Sequence, residues 1–230
     1  MVFQTLLFDL DGTLLDTAPD FISALNTQLL RHGRDPIPDS AIRACVTNGS
    51  AGLIEKGFGI SVDHALFDTI REEYLDLYFN NIAVKTALFA GLEQVLDTCA
   101  ERKIPWGIVT NKPWKYTSAV LEQLSMLDVA ATVICPDHVQ QPKPHPEAMM
   151  LACSETSTLP KDCIYIGDHR RDIDAGNAAG MVTIAAGWGY IEADDGSGTA
   201  GVFEVLKWTE TNTTDPTFDI YRGSIFGRVF

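Results

Sequence analysis

From residue 104 onward, four short apolar segments recur at regular intervals: IPWGIVT (104–110), ATVIC (131–135), CIYIG (163–167) and MVTIAA (181–186). Each is shorter than a buried helix and more uniformly apolar than a strand with one wet face. Such runs suit parallel strands covered on both sides. Ahead of them lie helical stretches at 91–101, 114–124, 145–154 and 172–179; in the first, Leu92, Val95, Leu96 and Cys99 recur at helical spacing. An earlier apolar run closing with Leu6–Phe8 adds another strand. Alternation of this kind leaves one class open: α/β, with a parallel sheet and right-handed crossovers.

The rhythm is broken once. After the first strand, Phe21, Ile22, Leu25 and Leu29 share a helix face that opens with Pro19 and ends at Gly33. DPIPD (35–39) interrupts, a short helix SAIRACV follows, and a third helix is predicted from Asp63, with Phe67, Ile70, Tyr74, Leu77 and Tyr78 at helical spacing. The expected organisation is therefore a core of residues 1–16 and 84–230, with an inserted all-helical unit over 17–83.

Ligands in such sheets bind beyond the carboxyl ends of the strands, and several strands of this chain end on polar side chains. Asp9 and Asp11 follow the first, Thr110 and Asn111 end IPWGIVT, Lys143 lies after ATVIC, and Asp168 ends CIYIG. Residues two apart in an extended segment point the same way, so Asp9 and Asp11 would repel unless a cation or proton lies between them. Gly12 permits a sharp turn there. Asp172 lies one helical turn beyond Asp168, whereas Asp174 is expected to face solvent. Hard oxygen ligands from Asp9, Asp11 and Asp168, with no Cys/His cluster at zinc spacing, favour Mg²⁺. Lys143 is held extended by flanking prolines and would face these carboxylates. Lys112 reads equally as a site residue or a surface charge. Asp16 reads as a cap or turn former.

Composition narrows the partners. Seventeen basic against thirty-one acidic residues give a net charge of −14, which argues against nucleic acid and against anionic membranes. An anionic ligand would need local positive charge from a metal or a few placed cations. The five cysteines are odd in number and form no C-x-x-C pair, so they read as reduced, mostly buried thiols of a cytoplasmic protein. MVFQTLLF lacks the basic start of a signal peptide. GSGTAG (196–201) matches a dinucleotide fingerprint but follows an acidic loop rather than a strand, so no nucleotide is expected on it. His138 and His145 read as loop residues; the role of His169, beside Asp168, is left open.

Taken together, DLDGT (9–13), Thr110-Asn111, Lys143 before proline and GDHRRD (167–172) resemble the four motifs of the haloacid dehalogenase superfamily of aspartate-nucleophile phosphotransferases. The likeness spans roughly residues 3–190. It implies a Rossmann-like three-layer core with a small helical cap, and the inserted helices are similar to that cap. FDLDGTLLDTAPDF, VTNKP and CPDHV…KPHPEAM resemble the phosphoglycolate phosphatase branch, and also the N-acetylmuramic acid 6-phosphate phosphatases. The resemblance implies Asp9 as nucleophile and Asp11 as proton carrier. Thr110, Lys143 and backbone N–H groups around Leu10, Gly12 and Thr13 would neutralise the phosphoryl oxygens, and Asn111 would help to orient them. Mg²⁺ would be held by Asp9, the Asp11 main-chain carbonyl and Asp168, with Asp172 anchoring Lys143 or a metal-bound water. Arg43 and TNGS (47–50: Asn48, Gly49 and Ser50 after Thr47) look like the substrate loop. The implied function is hydrolysis of a small acidic phosphomonoester, phosphoglycolate first and N-acetylmuramic acid 6-phosphate as the alternative. A β-phosphoglucomutase-type isomerase shares both aspartates. A phosphonate hydrolase would need a cap lysine, for which the helical stretch offers Lys56 alone. A monomer and a homodimer are both compatible. The aromatic C-terminal tail departs from the family pattern and reads as packing on the core.

Overall fold

The computed structural model describes residues 3–190. The predicted features at GSGTAG and in the aromatic tail lie outside the described residues. In chain order the elements are β1 (Thr5–Phe8), β2 (Leu15–Asp16), α1 (Ala18–Arg31), α2 (Asp39–Arg43), α3 (Gly49–Phe58) and α4 (Phe67–Asn80). There follow β3 (Ala87–Leu88), α5 (Leu92–Arg102), β4 (Trp106–Val109), α6 (Trp114–Gln123), β5 (Thr132–Ile134), α7 (Glu147–Glu155), β6 (Cys163–Gly167), α8 (Arg170–Ala179) and β7 (Val182–Ala185).

Five strands form one parallel sheet in the order β5-β4-β1-β6-β7. The strand alternation assigns its two faces. Leu6, Phe8, Trp106, Ile108, Ile164 and Ile166 join an apolar cluster with Leu92 and Cys99 of α5 and Val120 and Leu121 of α6. Leu7, Val109, Cys163 and Tyr165 face the other way, onto Met149 and Cys153 of α7 and Ala175 of α8. The expected α/β class with helices on both sides of a parallel sheet is what the chain forms. All five cysteines are free thiols, four of them buried and Cys45 half-buried. Among the described residues, no helix is long and apolar enough to cross a membrane.

Helices α1 to α4 carry their own apolar cluster, built on Leu25, Leu29, Ile42, Leu53, Ile54, Tyr74 and Tyr78. Two of its features differ from the sequence reading. The third helix begins at Phe67, not Asp63, and α3 was not anticipated. Its glycines lower helix propensity, but Gly57 serves packing. A Cβ on Gly57 would come to 2.8 Å from Leu25 Cδ1, so the glycine lets α3 approach α1 closely. The chain leaves the sheet through β2 and returns beside it through β3, with Leu15 opposite Leu88 and Asp16 opposite Ala87 in antiparallel register. Buried Asp20 ties the return to α1. Its carboxylate accepts from Lys85 N at 2.9 Å, Thr86 N at 3.0 Å and the Thr86 hydroxyl at 2.6 Å.

Candidate active site

The carboxyl ends of β1, β4 and β6 open into a cavity of about 340 Å³, roofed by the helices. Asp9, Asp11, Thr110, Asn111, Lys143 and Asp168 all line it, and so do Thr47, Asn48, Gly49 and Ser50. The segments singled out in the sequence therefore meet in one place.

At its floor lies a buried ammonium. Lys143 is 4% exposed. Its three N–H groups are shared among four oxygens within hydrogen-bond distance: Asp9 Oδ1 at 2.9 Å, Asp172 Oδ1 at 2.6 Å, the Tyr165 hydroxyl at 2.8 Å and the Val109 carbonyl at 2.9 Å. Burial works against this charge, but the Asp172 and Asp9 carboxylates outweigh it and hold the Lys143 pKa above its ordinary value. The loop carrying Lys143 is fastened by Asn111, whose Nδ2 donates to the Lys143 carbonyl at 2.9 Å and whose Oδ1 accepts from Lys143 N at 3.1 Å. Asn111 thus holds the lysine's backbone, and Thr110 Oγ1 accepts from Lys112 N at 3.2 Å.

Asp9, Asp168 and Asp172 each offer an oxygen, all within 4.8 Å of one another. Asp172 already accepts from Lys143, Tyr165 and His169 N, at 2.6, 3.2 and 3.0 Å. Asp168 Oδ1 accepts from the Thr13 hydroxyl at 3.2 Å and Oδ2 from Tyr190 N at 2.8 Å. Burial, then the charges of Asp9 and Asp172, push the Asp168 carboxyl up to about 8. A cation beside it would remove that penalty, and the donors are all hard oxygens, so the cluster fits Mg²⁺. Gly12 completes the cradle: with φ +85°, its Cβ position overlaps Asp168 Oδ2 and lies 2.8 Å from Tyr190 Cδ2.

Several residues occupy places the sequence did not foretell. The side chain of Leu10 is buried in the core. The amides of Gly12 and Thr13 are used inside the turn, donating to the carbonyls of Leu15 at 3.0 Å and Leu10 at 3.4 Å. The Thr13 hydroxyl serves Asp168. Asp11 stands apart from the three-carboxylate cluster. It accepts from the Thr17 hydroxyl at 2.6 Å and from Lys112 Nζ at 3.0 and 3.2 Å. Lys112 is buried, 4.5 Å from the centre of the Phe21 ring and 4.8 Å from that of Tyr78. Its surface reading is thereby excluded.

Asp16 does not cap α1, which corrects the sequence reading: its carboxylate accepts from Arg43 Nη2 at 2.9 Å and from the Tyr190 hydroxyl at 2.8 Å. Arg43 lies over the Tyr190 ring and is absent from the cavity lining. Its guanidinium is held by Asp16. His169 caps α8: its Nδ1 accepts from Arg171 N at 3.1 Å, while Asp172 closes the box onto His169 N. A helix start followed three residues later by an acid was the signal for this, hidden by the rarity of His at that position. Arg71, Arg171, Tyr78 and Tyr116 also line the cavity. Lys56 does not.

Comparison with known proteins gives a consistent set of likenesses. A family model described as haloacid dehalogenase-like hydrolase matches residues 6–186. The chain is 37% identical over 195 residues to an N-acetylmuramic acid 6-phosphate phosphatase of Pseudomonas aeruginosa, covering 85% of this chain and 86% of the relative. It is 36% identical over 192 residues to a phosphoglycolate phosphatase of Xanthomonas campestris, covering 84% and 86%. Among solved structures, a predicted phosphoglycolate phosphatase from Haemophilus somnus superposes with a TM-score of 0.73 at 22% identity, over 83% of this chain and 88% of that one.

Proposed function

Because the chain belongs to the haloacid dehalogenase-like hydrolase family, we propose that it is a Mg²⁺-dependent phosphomonoester hydrolase working through an aspartyl-phosphate on Asp9. The observation that carries this reading is the Lys143 ammonium bound to Asp9 and Asp172 on the floor of a cavity that Asp168 shares. Mg²⁺ would be held by the Asp9 and Asp168 carboxylates and the Asp11 main-chain carbonyl. When bound it neutralises charge on the phosphoryl group and on these carboxylates.

The chain's own residues do the rest. One Asp9 oxygen attacks phosphorus, and the bond from phosphorus to the substrate's alkoxide oxygen breaks. Asp11 gives that leaving oxygen its proton. Water then attacks the aspartyl-phosphate, Asp11 takes a proton from it, and the bond between phosphorus and Asp9 breaks, returning both carboxylates to their starting state. Lys143 keeps a positive charge against the transferring oxygens, and Asp172 and Tyr165 keep that lysine in place. Asn111 fixes the loop that bears it. Lys112 and Thr17 orient the Asp11 carboxylate.

The substrate is a small acidic phosphomonoester, with phosphoglycolate expected from the sequence. The cavity supports N-acetylmuramic acid 6-phosphate as a second reading. Its volume of about 340 Å³ and its apolar wall of Phe21, Leu75, Tyr78 and Tyr116 suit a sugar ring better than a two-carbon acid. The deciding assay compares kcat/KM for the two compounds with Mg²⁺ present. Asp9→Asn should abolish phosphate release from both while leaving the circular dichroism spectrum unchanged. Retained turnover would remove Asp9 as nucleophile and sink this function.

A further inference from the structure

Four Lys and Arg side chains line the cavity: Lys112, Lys143, Arg71 and Arg171. The two lysines are paired with aspartates on the floor. The two arginines are not. Neither forms an ion pair with a carboxylate of the described residues, in a chain with fourteen more acids than bases. Each is instead fastened to the short segment where the chain enters α3. Arg71, on α4, donates from Nε to the Ser50 hydroxyl at 2.9 Å. Arg171, in the first turn of α8, donates from Nη2 to the Thr47 carbonyl at 2.7 Å and to its hydroxyl at 3.3 Å.

These bonds orient the guanidinium groups without exhausting them. A guanidinium has five N–H donors in a planar fork. The bonds to protein acceptors use one nitrogen of each arginine. Arg43, the arginine that the sequence pointed to, is meanwhile committed to Asp16. The cavity is therefore asymmetric in charge. Its floor carries the aspartates with their two ion-paired lysines, whereas the two arginines, one from α4 in the roof and one from α8 on the sheet side, keep forks with unused donors.

We propose that Arg71 and Arg171 form a recognition site for a carboxylate on the alcohol portion of the substrate, distinct from the site of its phosphoryl group. The inference rests on the phosphatase reading above and names what selects the substrate. A carboxylate matches the planar fork of a guanidinium and can take two parallel bonds from it. The two arginines approach from different layers, one from the helices and one from the sheet side. A carboxylate bound between them would bridge the roof to the floor while the phosphoryl group sits at Lys143.

The test uses matched pairs that differ by the carboxylate: N-acetylmuramic acid 6-phosphate against N-acetylglucosamine 6-phosphate, and phosphoglycolate against 2-hydroxyethyl phosphate. The readout is the ratio of kcat/KM, acid over neutral, in the wild-type protein and in Arg71→Met, Arg171→Met and Arg171→Lys. In at least one pair the wild type should favour the acid. Each Met variant should lower that ratio by about tenfold or more, mainly through KM, as expected for losing a charge-assisted bond. Arg171→Lys should recover part of it. Displacement of the Thr47–Ser50 segment by the substitution would depress both members of a pair and leave the ratio alone, which would overturn the proposal. So would a wild-type preference for the neutral members, or a sugar bisphosphate that is turned over faster than the acids and loses the most in the same variants. Should the wild type release phosphate from neither member of either pair, the phosphatase reading itself falls. Turnover of both with an unmoved ratio removes the arginine site alone.

Discussion

Replacing Lys143 by Met tests how much of the fold's stability passes through the site. The ammonium lies 2.6 Å from Asp172 Oδ1 and 2.9 Å from Asp9 Oδ1. At an effective dielectric of about 20, each attraction is worth about 6 kcal/mol before desolvation. Desolvation of the three ions offsets most of that sum, but the substitution does not return the carboxylates to water. Asp172 is 0% exposed and would be left buried without its counter-charge. Breaking such a pair from one side costs about 3–5 kcal/mol, or about 6–20 °C in Tm for a chain of this size. The measurement is equilibrium urea unfolding with a chelator present, for the wild type, Lys143→Met, Asp172→Asn and the double variant. The double variant should be more stable than the sum of the single losses allows, by about 1 kcal/mol or more. Protonation of Asp172 relieves the stranded charge, so the Lys143→Met deficit should shrink between pH 8 and pH 5. A deficit below about 1 kcal/mol, or strict additivity, would refute the claim that this pair is a buried electrostatic unit.

Three further outcomes rest on the same geometry. The Asp168 carboxyl, pushed up to about 8 by burial and by Asp9 and Asp172, holds a proton at pH 7 that an unfolded carboxylate near pH 4 has lost. Metal-free stability should therefore fall as pH rises from about 4 to about 8, because the folded state binds the extra proton. Mg²⁺ should then expel close to one proton at pH 7 and almost none above pH 9, read by calorimetry in buffers of different ionisation heat; no release at pH 7 would contradict the assignment. Lys112→Met should slow an alkyl phosphate at least about tenfold more than p-nitrophenyl phosphate, since a good leaving group needs little from the proton carrier that Lys112 orients. Equal losses on the two esters would return Lys112 to a packing role.

The sheet was legible because parallel strands buried on both faces leave nearly continuous apolar runs, and the polar residues that follow four of the five runs could be placed on one edge from chain order alone. The cavity residues from β1, β4, β6 and the Lys143 loop follow from that placement. What escaped depends on partners far apart in sequence. Arg43 and Asp16 are 27 positions apart, so nothing local marks their ion pair, and an arginine held by an aspartate looked like one awaiting a ligand. Lys112 needed the rings of Phe21 and Tyr78 before it could be told from a surface charge. Arg71 went unremarked, since its bond to Ser50 joins residues 21 positions apart. Helix α3 was lost among its glycines, of which Gly57 shows its purpose only when α1 is packed against it, and β2 and β3, two residues each, are too short for any periodicity.

That two-residue ribbon has a consequence for how such a protein can change over evolutionary time. Because Leu15–Asp16 and Ala87–Leu88 run side by side, the sheet meets everything between them as if it were one hairpin turn. Whatever is spliced in at that junction need only begin and end at neighbouring points. The strand order, the Asp9 turn and the Lys143 anchorage would be untouched by a longer, shorter or wholly different insert. The floor and the roof of the cavity are thus free to drift at separate rates, the one kept by its chemistry and the other exchanged as substrates change.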